Sequence, residues 1–295
     1  MALMLRKKLN HLHVWILKTL HRRASDSPSL AFVRELFAFG YKEAISCIFP
    51  VFIFGMLAVS RFFEVPGLPR YDLLLIACIA MQWFMYRSGL ETKHEVYVIC
   101  IFHFLGVSME IFKVHHGAWT YPEAAYSKIW GVPLYSGFMY ASVASYICQA
   151  WRQFDLKFSA WPSMPESAFF AAAIYGNFYF NAYVIDLRLI IIPLLLFGFW
   201  HTWVYFETNG ITRRMPMGLS FVLIAFFIWL AENFGTLLGA WRYPHQHEGW
   251  SIVKLQLMSS WFLLVIVSII IVAMLKSAKK ELVLHGQLSA PEDLA

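Results

Sequence analysis

Charge is scarce in this chain. Only 14% of its 295 residues are Asp, Glu, Lys or Arg, against about a quarter in a soluble domain, which argues against a water-soluble protein. Cysteine is scarce too. Cys47, Cys78, Cys100 and Cys148 all fall in apolar stretches and none has a CxxC spacing, so neither a disulfide framework nor a thiolate metal site is expected. No P-loop, dinucleotide-binding glycine pattern, zinc finger, RNA-binding signature or helix-turn-helix is present. The net charge of +6 therefore implies no nucleic-acid partner. The cations lie outside the apolar runs, as membrane topology requires. The first thirty residues lack a long apolar core and a small-residue cleavage site, so no removable signal peptide is expected.

What is present is hydrophobic: 59% of residues, 18% aromatic, with mean hydropathy +0.57. A membrane-crossing helix needs about 20 mostly apolar residues. Eight such stretches are expected, at 42–61, 71–88, 95–112, 133–151, 166–184, 188–206, 217–235 and 251–275. Pro50 and Pro193 fall inside two of them, where neighbouring helices relieve a kink.

One motif occurs twice. Glu110-Ile-Phe-Lys-Val-His-His-Gly-Ala-Trp-Thr-Tyr-Pro122 returns, 122 residues later, as Glu232-Asn-Phe-Gly-Thr-Leu-Leu-Gly-Ala-Trp-Arg-Tyr-Pro244. The fold class expected is thus all-α membrane: eight transmembrane helices as two parallel-oriented four-helix repeats. Four spans per repeat keep both copies in one orientation, about an axis along the membrane normal.

The expected segments are 1–36, basic and amphipathic; 37–151, membrane repeat one; 152–165, a connecting loop; 166–276, membrane repeat two; and 277–295, a polar tail. In the first, Leu5, Leu9, Leu12, Ile16 and Leu20 recur at helical spacing among Lys and Arg, as in a helix lying on a bilayer surface. Placing the N-terminus in the cytoplasm puts most of the 24 Lys and Arg residues there. Both termini are then cytoplasmic and both Gly-Ala-Trp loops face outward.

Each repeated motif opens with a carboxylate at the end of an apolar run, where hydrocarbon cannot solvate its charge. Glu110 and Glu232 are candidate catalytic residues. Two acids in a low-dielectric cleft cannot both ionise cheaply, which keeps a proton donor at neutral pH. The competing reading is a structural corner, duplicated with the rest. His103, seven residues before Glu110 and on the same helical face, is a third catalytic candidate. Trp119, Tyr121, Trp241 and Tyr243 are candidate substrate contacts, as are the in-span polar residues Asn177, Asn181 and Lys254. His115, His116, His245 and His247 are weaker candidates for a metal, since Leu237 and Leu238 replace the first pair and no recognised ligand spacing appears. No metal site is expected, and the sequence names no cofactor.

Arg34-Glu-Leu-Phe-Ala-Phe-Gly-Tyr-Lys-Glu-Ala-Ile-Ser-Cys-Ile-Phe-Pro50, His116-Gly-Ala-Trp-Thr-Tyr-Pro122 and Ala231-Glu-Asn-Phe-Gly-Thr-Leu-Leu-Gly-Ala-Trp-Arg-Tyr-Pro244 resemble the DUF817 family of bacterial integral membrane proteins over most of residues 30–276. That resemblance implies a multi-pass protein of the bacterial inner membrane. A fainter similarity is to lycopene-cyclase-type carotenoid-biosynthesis domains. They also repeat a helix ending in an acid, a Gly-x-Trp-aromatic loop and a Gly-x-Pro entry, here Gly131-Val-Pro133. Repeat two departs from this at Trp250-Ser-Ile-Val, and the Pro-x-Glu-Glu pair of those cyclases is absent. The functional expectation is an enzyme acting on a hydrophobic lipid or isoprenoid by carboxylate acid/base chemistry. The alternatives are a transporter or channel using the same carboxylates for a cation or proton, or a non-catalytic membrane scaffold. The expected partners are the lipid bilayer and a hydrophobic small molecule.

Overall fold

The structure is a computed structural model that describes residues 2–21, 26–181 and 183–284; side chains are described for 8, 11–21, 26–181 and 183–276. It is mostly helical. In chain order come α1 (Ala2–Leu20), α2 (Pro28–Ser46), α3 (Ile48–Val59), α4 (Arg70–Ser88) and α5 (Lys93–His115). A two-stranded ribbon follows, β1 (Lys128–Ile129) with β2 (Val132–Pro133), then α6 (Tyr135–Gln153), β3 (Lys157–Ser159), α7 (Met164–Phe180) and α8 (Arg188–Gly198). A hairpin of β4 (Trp203–Thr208) and β5 (Ile211–Pro216) leads into α9 (Met217–Leu237) and α10 (Met258–Leu284).

Among the described residues, three helical stretches are long and apolar enough to cross a membrane: Lys93–His115, Met217–Leu237 and Leu255–Lys276. The pair α2 and α3 passes the same test together but bends by 65° at Cys47. Pro50 explains the bend. It stands in the first turn of α3, where a missing N–H goes unnoticed, and its ring excludes the carbonyl four residues back from a continuing helix. The central helix is α6. Its small and polar residues, Gly137, Ala141, Ala144, Ser145 and Gln149, are buried among its neighbours. Small side chains there allow close helix approach.

One expected span is corrected. Of 188–206, only Arg188–Gly198 is helical, roughly 16 Å of helix at 1.5 Å per residue, about half the hydrocarbon thickness. The remainder enters the β4–β5 hairpin. Asn209 and Gly210 turn it with φ of 58° and 76°, the left-handed pair a two-residue hairpin turn demands. The expected linker 152–165 contributes β3, which pairs with β4. His201 sits in the turn before β4, outside any helix. Among the expected surface-helix leucines, the side chains of Leu5 and Leu9 lie outside the described residues. Leu12 is exposed, with Val14 and Trp15 beside it.

Candidate functional site

The two Gly-Ala-Trp turns share one backbone construction. At the end of α5, the Gly117 amide donates to the Val114 carbonyl and the Ala118 amide to the Lys113 carbonyl, both at 3.0 Å. At the end of α9, Gly239 donates to Thr236 and Ala240 to Gly235, again at 3.0 Å. This bond pair closes a helix by a left-handed residue, and Gly117 and Gly239 have φ of 69° and 71°. The chain reverses, and the following aromatics fold back over the helix they have just left.

Each aromatic pair meets its own glutamate. Trp119 Nε1 and Tyr121 OH both donate to Glu110 Oε2 at 2.7 Å. Trp241 Nε1 and Tyr243 OH donate to Glu232 Oε1 at 2.9 and 2.6 Å. Both acids are buried, at 3% and 4% exposure. Burial pushes the Tyr121 phenol well above its usual range, and the Glu110 carboxylate adds to this. The Tyr243 phenol is raised by burial first, then by Glu232, with Glu110 also contributing. Both phenols stay protonated as donors, and Tyr243 feels both acids.

The two turns also touch each other. Thr120 and Arg242, 122 residues apart, exchange backbone hydrogen bonds: the Thr120 amide donates to the Arg242 carbonyl at 3.0 Å and the Arg242 amide to the Thr120 carbonyl at 2.9 Å. The Trp119 and Tyr243 rings meet edge-on at 6.0 Å. Tyr71 and Tyr135 both donate to the Ala240 carbonyl, at 3.1 and 2.8 Å.

Beneath the turns lies a cavity of about 620 Å³. Glu110, Glu232, Trp119, Tyr121, Trp241 and Tyr243 line one end. Its walls come from α2–α3, α6, α9 and α10. Val204 and Phe206 of β4 and Met215 of β5, which pairs with Val204, line it from the hairpin. The lining is almost wholly apolar. Cavity residues on α9 run from Met217 to Glu232, which makes the space roughly 22 Å long at the helical rise. Leu223 and Phe227 line it and are themselves exposed.

The acids differ in one respect. Tyr140 of α6 donates to Glu110 Oε1 at 2.7 Å, so both oxygens of Glu110 are engaged. Position 262, which stands 122 residues beyond Tyr140, is Phe. Among the described residues, no protein donor reaches Glu232 Oε2. In the sequence Tyr140 stands between the small residues Gly137 and Ala141, a pattern that close helix packing alone explains. Its signal is Gly106, four residues before Glu110: a Cβ at Gly106 would meet the Tyr140 ring at 2.6 Å.

Other expected site residues lie elsewhere. His103 fills the α5–α6 interface, its ring 4.6 Å from that of Phe138; Gly137 leaves it room, since a Cβ there would meet the imidazole. It does not line the cavity. Asn177 ties α7 to α8 by donating to Asp186 Oδ1 and accepting from the Leu187 amide. Asn181 accepts from Lys113 Nζ at 2.8 Å. Lys254 is exposed and precedes a 3-10 turn. His116 bridges the Phe112 carbonyl and Tyr183 OH, and His115 packs beside it. His245 stacks on Tyr243 and His247 is exposed. Among the described residues, no group of three His, Cys, Asp or Glu is placed to hold a metal ion.

The uncharacterized protein YoaT of Bacillus subtilis (strain 168) is 54% identical over 249 residues, covering 84% of this chain and 94% of its own. Among solved structures, the fold is similar to a mycobacterial Insig homolog from Mycobacterium vanbaalenii at 13% identity, with a TM-score of 0.45 over 61% of this chain and 92% of that one. A cross-linked trimer of that homolog gives 14% identity and a TM-score of 0.46, over 64% and 95%. The fainter likeness to carotenoid-biosynthesis domains is not among these findings. The model of the DUF817 family, described as a protein of unknown function, matches residues 35–269, and the chain belongs to that family.

Proposed function

We propose that this chain is a multi-pass inner-membrane enzyme that protonates a long apolar molecule, an isoprenoid or other unsaturated lipid, in the cavity beneath the paired turns. One observation carries the reading: a carboxyl oxygen with no protein donor, Glu232 Oε2, at one end of an elongated apolar space. Trp241 and Tyr243 both donate to Oε1, so a proton on this acid resides on Oε2. Transfer of that proton to one alkene carbon forms a C–H bond and leaves a cation on the neighbouring carbon. The aromatic faces of Trp119, Tyr140 and Tyr243 stabilise it. Loss of a proton from an adjacent carbon back to Glu232 forms the new double bond, directly or after ring closure. The sum is an isomerisation that needs no co-reactant. Glu110, held by three donors, supplies a fixed negative or hydrogen-bonded wall.

The same reading relates the two halves by a pseudo-two-fold axis between Thr120 and Arg242. Reciprocal bonding of residues one repeat apart is what such an axis requires, and it supports the duplication. The outward face of the turns and the cytoplasmic termini follow from the distribution of Lys and Arg. A route for a cation fits the apolar lining poorly. The test is the lipid and isoprenoid profile of membranes from a deletion strain complemented with wild type, Glu232→Gln or Glu110→Gln. Loss of a wild-type product with Glu232→Gln supports the enzyme. An unaltered profile with a stably inserted Glu232→Gln protein overturns it, and proton-coupled uptake into proteoliposomes would replace it with transport.

A further inference from the structure

The cavity holds a second set of polar groups that acid chemistry at the turns does not use. Glu43 of α2 lines it and accepts from Tyr146 OH at 3.3 Å through Oε2. Among the described residues, Glu43 Oε1 has no hydrogen-bond partner. A carboxyl oxygen without a partner beside an apolar space carries a desolvation penalty. A ligand donor that meets it removes that penalty.

This pair lies away from the turns. Tyr146 is six residues from Tyr140 on α6, roughly 9 Å along the axis. Lys42, next to Glu43, donates to the Glu207 carbonyl on β4 and lies over the Phe154 ring, which puts Glu43 towards the hairpin end. The walls between are apolar. This rests on reading the cavity as the site of a long-chain lipid. Given that, we propose that Glu43, held by Tyr146, forms a headgroup subsite for a hydroxyl on the ligand. The substrate class is then a long-chain isoprenoid or lipid alcohol, with its hydroxyl at the hairpin end and its unsaturation under Glu232. A hydroxyl suits this acceptor, donating to the free Glu43 oxygen.

The experiment is equilibrium binding of tritiated geranylgeraniol to the full-length protein in lipid nanodiscs, competed by the unlabelled alcohol or by its acetate ester. The ester keeps the chain and masks the donor. The alcohol should compete about tenfold better on wild type, a hydrogen bond to a charged acceptor being of that order. The preference should vanish in Glu43→Leu, shrink in the volume-conserving Glu43→Gln, and persist in Glu232→Gln. Binding of both molecules without a preference on wild type, or a preference undiminished in Glu43→Leu, overturns the subsite alone. Absence of any binding overturns it together with the lipid reading of the cavity.

Discussion

The two Gly-Ala-Trp turns are alike in backbone and unlike in what surrounds their acids. Around the first, Gly106 makes room for Tyr140, and Glu110 is saturated by three donors. Around the second, Ile228 and Phe262 stand at the corresponding positions, and Glu232 keeps one oxygen free of protein donors. On the proposed reading, a turn that served only to hold a corner has no use for this difference, because both corners are closed by the same backbone bonds and the same Trp-Tyr pair; the first acid then holds and the second reacts.

The largest effect should separate the acids. Glu232→Gln is expected to lower formation of the membrane product by 100-fold or more, the range for loss of a general acid. Glu110→Gln should lower it about tenfold, because it disturbs a wall and not the proton. Equal losses would erase the distinction. A smaller effect comes from making the first half resemble the second. Tyr140→Phe removes one donor from a buried carboxylate and should lower stability by about 1–3 kcal/mol, read as a lower Tm in detergent. Phe262→Tyr alone should not raise stability, since Ile228 occupies the room that Gly106 leaves for Tyr140.

How much of this was legible in the sequence follows from what each element leaves as a trace. The acids and their aromatic partners were legible because the motif occurs twice, and the Glu-to-Trp and Glu-to-Tyr separations of nine and eleven residues are identical at both occurrences. The hairpin lining the cavity was hidden by hydropathy. Trp203-Val-Tyr-Phe is apolar enough to extend a span, and the local hairpin signal, Asn209-Gly210 between β-forming residues, lies beyond it. Glu43 left no trace, since a polar residue in a helix does not say which neighbour it faces. His103 was misleading for the same reason: its spacing from Glu110 fixes a face of α5, but α6 covers that face at Gly137 and Phe138.

A further contrast lies four residues before each turn glycine. At position 235 a Cβ would meet the Trp241 ring at 2.4 Å, whereas the equivalent position in the first turn carries Lys113, whose side chain reaches Asn181. Gly235→Ala should therefore displace Trp241 from Glu232 and lower stability by about 1–3 kcal/mol, as overpacking does. Lys113→Ala should lower it by under about 1 kcal/mol, the loss of one half-exposed polar contact. Tryptophan emission should shift in Gly235→Ala and not in Lys113→Ala.

The smallest effect tests the part that is shared. Gly117 has open space around it, and nothing lies closer to a Cβ at Gly239 than Arg70 Nη1 at 3.9 Å. Neither substitution to alanine is opposed by crowding, so each carries only the left-handed backbone penalty, about 1–2 kcal/mol. The two values should agree within about 0.5 kcal/mol in thermal unfolding. A distinctly larger loss for Gly239→Ala would show that the second turn is held by more than its own geometry. The group to answer for that is Arg70, which donates to the Leu238 and Gly239 carbonyls at 2.8 and 3.4 Å and has no such role at the first turn.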